Sequence, residues 1–216
     1  MLKLLLKELK LNISWPLYMF TLLAAMLLIP NYPAIVGAGY TVMQVFVYLQ
    51  ICAANKSMEF TSVLPVSRKD IVKSTSVVVV FFQMLFTAVA LLLLPVAKML
   101  YKDTGNIVGI DGNFTYIAFA LVCFGLFNVG FLPKYFSNPY KYGGALLKGI
   151  VYFLVVYVVE ETLVQAVPAL KTIFDGYDTQ YLWARLLSAV VALGIYFGLT
   201  CLAVNKATKK FEKVNL

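Results

Sequence analysis

The sequence contains no histidine and only three cysteines, Cys52, Cys123 and Cys201, each within an apolar stretch. Without an imidazole or a paired-cysteine motif, we expect no zinc site, no disulfide and no histidine-dependent catalysis. The aspartates between residues 101 and 113 do not follow the spacing of a calcium-binding loop. The sequence therefore predicts no metal site and no cofactor bound by this chain.

Charge is also scarce. Only 13% of the 216 residues are charged, 62% are hydrophobic, and the mean hydropathy is +0.85. A water-soluble domain cannot bury that much apolar surface, so the composition predicts an integral membrane protein. The formal charge of +8 is typical of basic loops on the inner face of a membrane, and we predict no nucleic-acid partner.

The apolar runs predict an all-α fold with a single transmembrane domain over residues 1–216. Because a span needs ~20 residues, about six fit into the chain. We place them at residues 11–29, 34–54, 71–94, 114–132, 145–167 and 181–204.

Residues 1–12 carry Lys3, Lys7 and Lys10 at helical spacing, with leucines on the other face. This pattern predicts an amphipathic helix lying on the inner membrane surface. An equally good interpretation is a basic flank that only orients the first span. A cleaved signal peptide is less favoured, since the apolar run that follows is too long for one.

The basic residues favour one orientation. Of the 18 Lys and Arg residues, 14 fall in segments assigned to the inside, and four fall outside: Lys98, Lys102, Lys171 and Arg185. Since short basic loops stay in the cytoplasm, both termini are predicted to be cytoplasmic.

The stretch 55–73 is the longest break in the apolar pattern of the first half. It holds a short amphipathic piece with Met58, Phe60, Thr61 and Leu64, which ends at Pro65. Ser67 follows where the N-cap of a new helix belongs. We predict a lateral cytoplasmic helix that joins two spans and docks on a soluble partner. The alternative is that these residues only rest on lipid headgroups.

Glu160 and Glu161 lie within an otherwise apolar run. If the fifth span starts near residue 145, Glu160 lies ~22 Å along it, and a carboxylate at that depth marks a paired or functional site. If the helix starts near Tyr142, the pair lies at the outer interface instead. Arg185 and Lys98 are the candidate partners.

The same pair begins the sequence EETLVQ, which resembles the first motif of the membrane proteases that cleave prenylated proteins. That motif has arginine where this chain has Gln165, and the histidines which the family requires are absent. We therefore predict that the chain is not an enzyme.

Gly194 and Gly198 form a GxxxG pattern on the sixth span. Such a pattern lets two helix backbones approach closely. We expect it to serve packing within the chain rather than dimerisation.

Residues 62–72 read SVLPVSRKDIV, and residues 132–136 read LPKYF, followed by Tyr142 and Gly143. The first stretch is similar to the LPVSR sequence of type 2 ABC transporter permeases, compact six-helix exporter subunits found mostly in bacteria. The second is similar to their loop after the fourth span. Thr75 departs from the pattern, since family members often carry a basic residue there.

This resemblance implies a bacterial cell-membrane permease that pairs with a second copy or a paralogue and with ATPase subunits, which bind ATP and magnesium. Residues 59–64 would be its coupling helix. Glu59 would pair with a basic residue of the ATPase, Met58, Phe60 and Leu64 would form the packing face, and Arg68 would flank it. The cargo implied is an amphipathic peptide or a small hydrophobic compound.

Two alternatives remain open. One is a membrane anchor or regulatory protein that holds a cytoplasmic partner without transport. The other is ion-driven transport, with Glu160 and Glu161 as proton sites.

Overall fold

The structure is a computed structural model that describes residues 2–214, and its regular structure is entirely helical. The all-α prediction is confirmed. The helices are α1 (Leu2–Leu11), α2 (Trp15–Leu22) with a 3₁₀ continuation (Leu23–Leu28), α3 (Ile35–Ala54), α4 (Ser57–Ser62), α5 (Arg68–Tyr101), α6 (Phe114–Tyr135), α7 (Tyr142–Ala166), α8 (Pro168–Phe174) and α9 (Leu182–Phe211).

Five helices, α3, α5, α6, α7 and α9, are long and apolar enough to cross a membrane. The first predicted span, 11–29, is broken: α1 and the α2 segment meet at 84° and qualify only when taken together. Pro16 lies in the first turn of α2, where its missing amide hydrogen costs no helical hydrogen bond. In a continuous helix running from α1 into α2 that hydrogen bond would be lost, so the proline favours a break. Residues 2–214 therefore contain five candidate spans, or six if the bent pair counts as one.

The bundle has two ends, which we name after the short helices they carry. At the α4 end, α1 contacts α4 and Arg68 contacts the last residues of α9. At the α8 end lie the loop 102–113 and the segment that joins α8 to α9. Both described termini thus share the α4 end, as the orientation predicted from the basic residues requires.

Helix α6 forms the centre of the bundle. It packs mainly against α7 and α9, and its aromatic side chains Phe124, Phe127 and Phe131 are fully buried. Glycines permit the close approach: a Cβ on Gly149 of α7 would lie 2.6 Å from a ring carbon of Phe127, and one on Gly125 would lie 3.0 Å from Leu199. The α6–α7 contact therefore depends on the missing side chain at position 149.

A buried polar network crosses the middle of the bundle. Gln83 of α5 and Asn128 of α6 exchange two amide hydrogen bonds of 3.0 Å. Asn128 also donates to Thr200 Oγ1 at 3.0 Å, and Tyr196 OH donates to Gln83 Oε1 at 2.7 Å. Since an unpaired polar group is expensive in an apolar interior, these bonds set the rotation of α5, α6 and α9 relative to one another.

At the α8 end, the loop 102–113 is held by Asp111. Its Oδ1 accepts the amide hydrogen of Asn106 at 2.6 Å, and its own amide donates to Asp175 Oδ1 at 2.9 Å. Asn113 caps α6 and donates to the carbonyl oxygens of Phe174 and Gly176. The loop is thereby tied to the α8–α9 connection, and burial together with the nearby Asp175 raises the pKa of Asp111 to about 6.

The glycine at position 149 provides a test of the α6–α7 contact. We expect Gly149→Ala to lower the free energy of unfolding by ~1–3 kcal/mol because the new methyl group overlaps the Phe127 ring. Gly143→Ala, in the same helix with nothing within 4 Å of the new atom, is the matched control and should be neutral or slightly stabilising. Thermal unfolding in detergent measures both, and equal midpoints for the two variants would contradict this packing.

The raised pKa of Asp111 predicts a pH-dependent stability. The folded protein favours the neutral form of the Asp111 carboxyl. The contribution of this group to the free energy of unfolding is therefore greatest below its ordinary pKa of 3.8 and is lost as the pH rises through about 6. Asp111→Asn keeps the acceptor for Asn106 but cannot ionise, so its thermal midpoint should fall less than that of the wild type across this window. Asp103→Asn, on the exposed part of the same loop, should behave as the wild type. Parallel curves for the wild type and Asp111→Asn would contradict the assignment.

Candidate functional site

Helix α4 lies directly after α3 at the α4 end, as the sequence predicted for this region, although it spans Ser57–Ser62 rather than 59–64. Lys56, at φ 48°, turns the chain between the two helices in the left-handed region. Asn55 secures this turn by donating to the carbonyl oxygen of Leu11 at 2.6 Å. The helix is thus fixed to the chain segment that precedes α2.

The buried side of α4 binds a lysine of α1. Lys7 Nζ donates to Ser57 Oγ at 2.8 Å and to Thr61 Oγ1 at 2.6 Å, and it forms an ion pair of 2.7 Å with Glu8 Oε1. Both hydroxyl residues are nearly fully buried. A charge-assisted contact of this kind holds α4 in one orientation on α1.

Glu8 extends the contact to α3. Its Oε2 accepts hydrogen bonds from Asn12 Nδ2 at 2.5 Å and from Tyr48 OH at 2.8 Å, and Asn12 also donates to Ser57 Oγ at 2.9 Å. Glu8, Asn12 and Tyr48 are at most 5% exposed. We call Lys7, Glu8, Asn12, Tyr48, Ser57 and Thr61 the anchor network.

The sequence prediction missed the anchor network. It treated residues 1–12 as an amphipathic helix with lysines on one face and leucines on the other. In the structure Leu4 and Glu8 are buried, whereas Leu6 and Leu9 are nearly half exposed beside the exposed Lys3 and Lys10. The available signal was the spacing of Leu4, Glu8 and Asn12, which places two polar residues on the same helical stripe as a leucine.

The outward side of α4 carries the predicted Glu59 and Phe60. Glu59 is exposed, Phe60 is 51% exposed, and Val63, which the sequence analysis did not select, is 79% exposed just after the helix. Met58 instead packs against the core of the protein, beside Leu49, Tyr135 and Tyr142, and Leu64 is half-buried. Residues two positions apart lie ~200° apart around a helix, so Met58 and Phe60 cannot share one face.

Arg68 makes contacts that the sequence did not suggest. Its Nη1 donates to the carbonyl oxygens of Phe211 at 3.0 Å, Glu212 at 2.7 Å and Val214 at 2.7 Å. The last carbonyls of a helix have no partner within it, and a basic side chain satisfies them here. Arg68 therefore ties the start of α5 to the end of α9, while Ser67 caps α5 through the amide of Asp70 as predicted.

Glu160 and Glu161 lie near the α8 end of α7. The helix begins at Tyr142, so Glu160 lies ~27 Å along it, close to the far limit of a ~30 Å hydrocarbon core. This is the interfacial alternative of the two depths considered from the sequence. Cys123 Sγ donates to Glu160 Oε2 at 3.4 Å, and Gln165 Nε2 donates to Glu161 Oε1 at 3.4 Å.

Neither glutamate has a basic partner among residues 2–214, where the two ion pairs are Lys7–Glu8 and Arg185–Asp178. The expectation that Arg185 or Lys98 would pair with the glutamates is therefore wrong. Arg185 is buried and donates to Asp178 Oδ2 at 2.9 Å, which lowers the pKa of that carboxyl. It also donates to one backbone carbonyl at the end of α8 and two in the α8–α9 connection. These backbone acceptors, close in sequence, compete successfully with a carboxylate on another helix.

The GxxxG pattern also differs from expectation. Gly194 and Gly198 are exposed, and a Cβ at either position would meet nothing within 4 Å in the part of the chain that the structure describes. The prediction that they serve packing within the chain is wrong. The small-residue stripe of α9 faces away from the bundle.

Comparisons with known proteins identify the chain. Within the described residues, no three His, Cys, Asp or Glu side chains come together to hold a metal ion, and the bundle is built from membrane-spanning helices. No curated protein and no solved structure matches the sequence. The model of the family described as ABC-2 family transporter protein matches residues 3–211. The chain therefore belongs to the ABC-2 family and is a multi-pass, normally non-catalytic permease subunit of an ABC transporter, a family that in general works with ABC ATP-binding subunits.

Proposed function

We propose that this permease is the membrane subunit of an ATP-driven exporter and that α4 is its coupling helix. The observation that carries the proposal is the two-sided character of α4. One side is bound into the anchor network, and the other presents Glu59, Phe60 and Val63 to the surroundings. In this proposal the α4 end is cytoplasmic, and the ATPase subunits bind ATP and magnesium.

The outward side of α4 suits a protein partner. Large apolar side chains flanked by a charge are typical of the centre of a protein interface, since they exclude water while the charge gives specificity. Phe60 and Val63 supply the apolar part, and Glu59 supplies a carboxylate for a basic residue of the ATPase. Met58 and Arg68 support the helix from within the permease in this view, instead of contacting the ATPase.

The inward side supplies a route for the motion. A displacement of α4 acts on α1 through Lys7, on α3 through Glu8 and Tyr48, and on α5 through the short link at residues 63–67. Arg68 extends this connection to α9. A rigid element tied to several spans is what converts closure of a soluble motor into a rearrangement of a bundle.

A second permease copy or paralogue is part of the proposal. The free GxxxG stripe at Gly194 and Gly198 supports it, because glycines at this spacing let two helices pack closely in a membrane. Identical and paralogous partners fit this stripe equally well.

The cargo that we propose is amphipathic or apolar, such as a peptide or a small hydrophobic compound. The connections at the α8 end are short, so the cargo has to be met by the spans. Their surface is dominated by aliphatic and aromatic side chains, which favours cargo that partitions from the bilayer.

A membrane anchor that binds a cytoplasmic ATPase without transport is the second candidate, and it would use the same outward surface of α4. The two functions differ in whether ATP hydrolysis by the complex moves cargo. The following variants are chosen to separate binding of the ATPase from coupling.

Alanine at Phe60 and Val63 should weaken the complex. We expect the double variant to lower the affinity for the ATP-binding subunit by ~10-fold or more, because it removes the central apolar contacts of the interface. The measurement is copurification of an ATP-binding cassette protein with the tagged full chain, together with its ATP-driven transport in vesicles. Ile107→Ala, an 82% exposed apolar residue at the opposite end, is the matched control. Normal transport in the Phe60 and Val63 variant would refute the assignment of α4.

Thr61→Val should separate binding from coupling. The substitution keeps the shape of the residue but removes an acceptor of Lys7 Nζ, so we expect a loss of ~1–2 kcal/mol in stability. The outward surface is unchanged, so the ATPase should still copurify while transport per ATP hydrolysed falls. Ser62→Ala is the control, because its hydroxyl is exposed and bonds only to the Glu59 carbonyl. If Thr61→Val and Ser62→Ala transport equally well, the anchor network does not transmit the motion. If the wild-type complex hydrolyses ATP without transport, the result would instead favour the second candidate function, a membrane anchor for the ATPase.

A further inference from the structure

A cleft of about 410 Å³ opens between α3 and α7. Its wall is formed on α3 by Gly39, Tyr40 and Met43 and on α7 by Phe153, Leu154 and Tyr157. The two helices make few contacts with each other, so the cleft separates them along the outer half of the bundle. Its volume lies in the range of small-molecule sites, and its lining is almost entirely apolar.

A second, water-sized cavity of about 10 Å³ adjoins the cleft and shares Ile35 and Tyr157 with it. Glu161 and Tyr116 line this cavity beneath the loop residue Gly109. Tyr116 is 3% exposed, and its hydroxyl has no hydrogen-bond partner in the described structure. A buried hydroxyl without a partner, next to a carboxylate, can form a hydrogen bond with a polar group of a ligand.

The acidic end of the cleft has no basic side chain paired with it within residues 2–214. Tyr157 and Glu161 lie four residues apart on one stripe of α7, and Glu161 lines the small cavity that adjoins the cleft. Glu160, one position earlier, lines neither cavity and accepts a hydrogen bond from Cys123 Sγ. Neither glutamate forms an ion pair within residues 2–214. Because a carboxylate at the edge of the hydrocarbon core is expensive without an opposite charge, a cationic group beside Glu161 would stabilise its ionised form.

We propose that the cleft binds a small amphiphile with one cationic group, with its apolar part between α3 and α7 and its cation at Glu161. This assignment rests on the proposed function, for which it names the class of cargo. The volume of the cleft favours a single small molecule, since the cleft is too small for a folded peptide. The position near the outer limit of the membrane suits cargo that leaves on that side.

The experiment measures equilibrium binding of the lipophilic cation tetraphenylphosphonium to the purified full chain in nanodiscs, with empty nanodiscs subtracted. Tetraphenylborate, an anion of nearly the same shape, tests for charge without changing the protein. We expect the anion to bind at least ~10-fold more weakly, because the Glu161 carboxylate repels an anion and attracts a cation. Equal binding of the two ions would overturn the proposal.

Two variants test the two halves of the site. Glu161→Gln removes the charge, and Gly39→Leu fills the cleft, since nothing lies within 4 Å of a Cβ at Gly39. Each should weaken binding of the cation by ~10-fold. The controls are Asp103→Asn, an exposed carboxylate near the same end, and Gly144→Leu, which enters open space at the start of α7. Wild-type affinity in either test variant would overturn the proposal.

This measurement needs no ATPase, so it can fail separately from the proposed function. If the cation binds as expected but the complex hydrolyses ATP without transport, the exporter proposal fails, whereas the assignment of the cleft as a binding site for a cationic amphiphile is retained. If ATP-driven transport is present but Glu161→Gln binds the cation as the wild type does, the cleft assignment alone fails.

Discussion

The structure depends on one constraint, that a polar group in an apolar surrounding has to be paired. The anchor network satisfies it at the α4 end, where Lys7 and Glu8 neutralise each other and the remaining donors and acceptors are used by Asn12, Tyr48, Ser57 and Thr61. The Gln83–Asn128 pair satisfies it in the middle of the bundle. Because hydrogen bonds are directional whereas contacts among aliphatic side chains are not, these few bonds select one arrangement of helices from many that would bury the same apolar area.

Glu160 and Glu161 meet this constraint only in part. The two arginines at the bundle ends have acceptors: Arg68 has the carbonyls at the end of α9, and Arg185 has Asp178 and neighbouring carbonyls. The glutamates have hydrogen-bond partners, including Cys123 and Gln165, but no basic partner among residues 2–214. The Tyr116 hydroxyl beside Glu161 also has no partner in the described structure, and such groups next to an open cleft are consistent with a site completed by a ligand.

The sequence predicted the features that depend on local pattern. Hydropathy gave the five long spans, and Pro65 with Ser67 indicated where α4 ends and α5 begins, because helix length, caps and breaks are properties of neighbouring residues. The partners of Arg68 and the burial of Glu8 could not be predicted, since Arg68 meets residues more than 140 positions away and Glu8 meets Tyr48 of another helix. Met58 was placed on the wrong side of α4 because the rotation of a six-residue helix is set by its tertiary contacts.

The break between α1 and α2 gives the coupling proposal its mechanical basis. A single straight helix over residues 3–28 would transmit any tilt of its first turn to its far end, whereas the 84° bend after Leu11 allows α1 to move with α4. The polar contacts of Asn12 and Asn55 lie at this bend and join it to the turn that precedes α4. Motion of α4 would therefore reach the bundle chiefly through α3, α5 and the Arg68 contact with α9, while α2 stays in place against α3 through the Gln44 hydrogen bond to the Leu17 carbonyl. The bend therefore lets α1 follow α4 without moving α2 as one rigid rod, so that in the proposed function a displacement of α4 acts on the bundle through α3, α5 and α9.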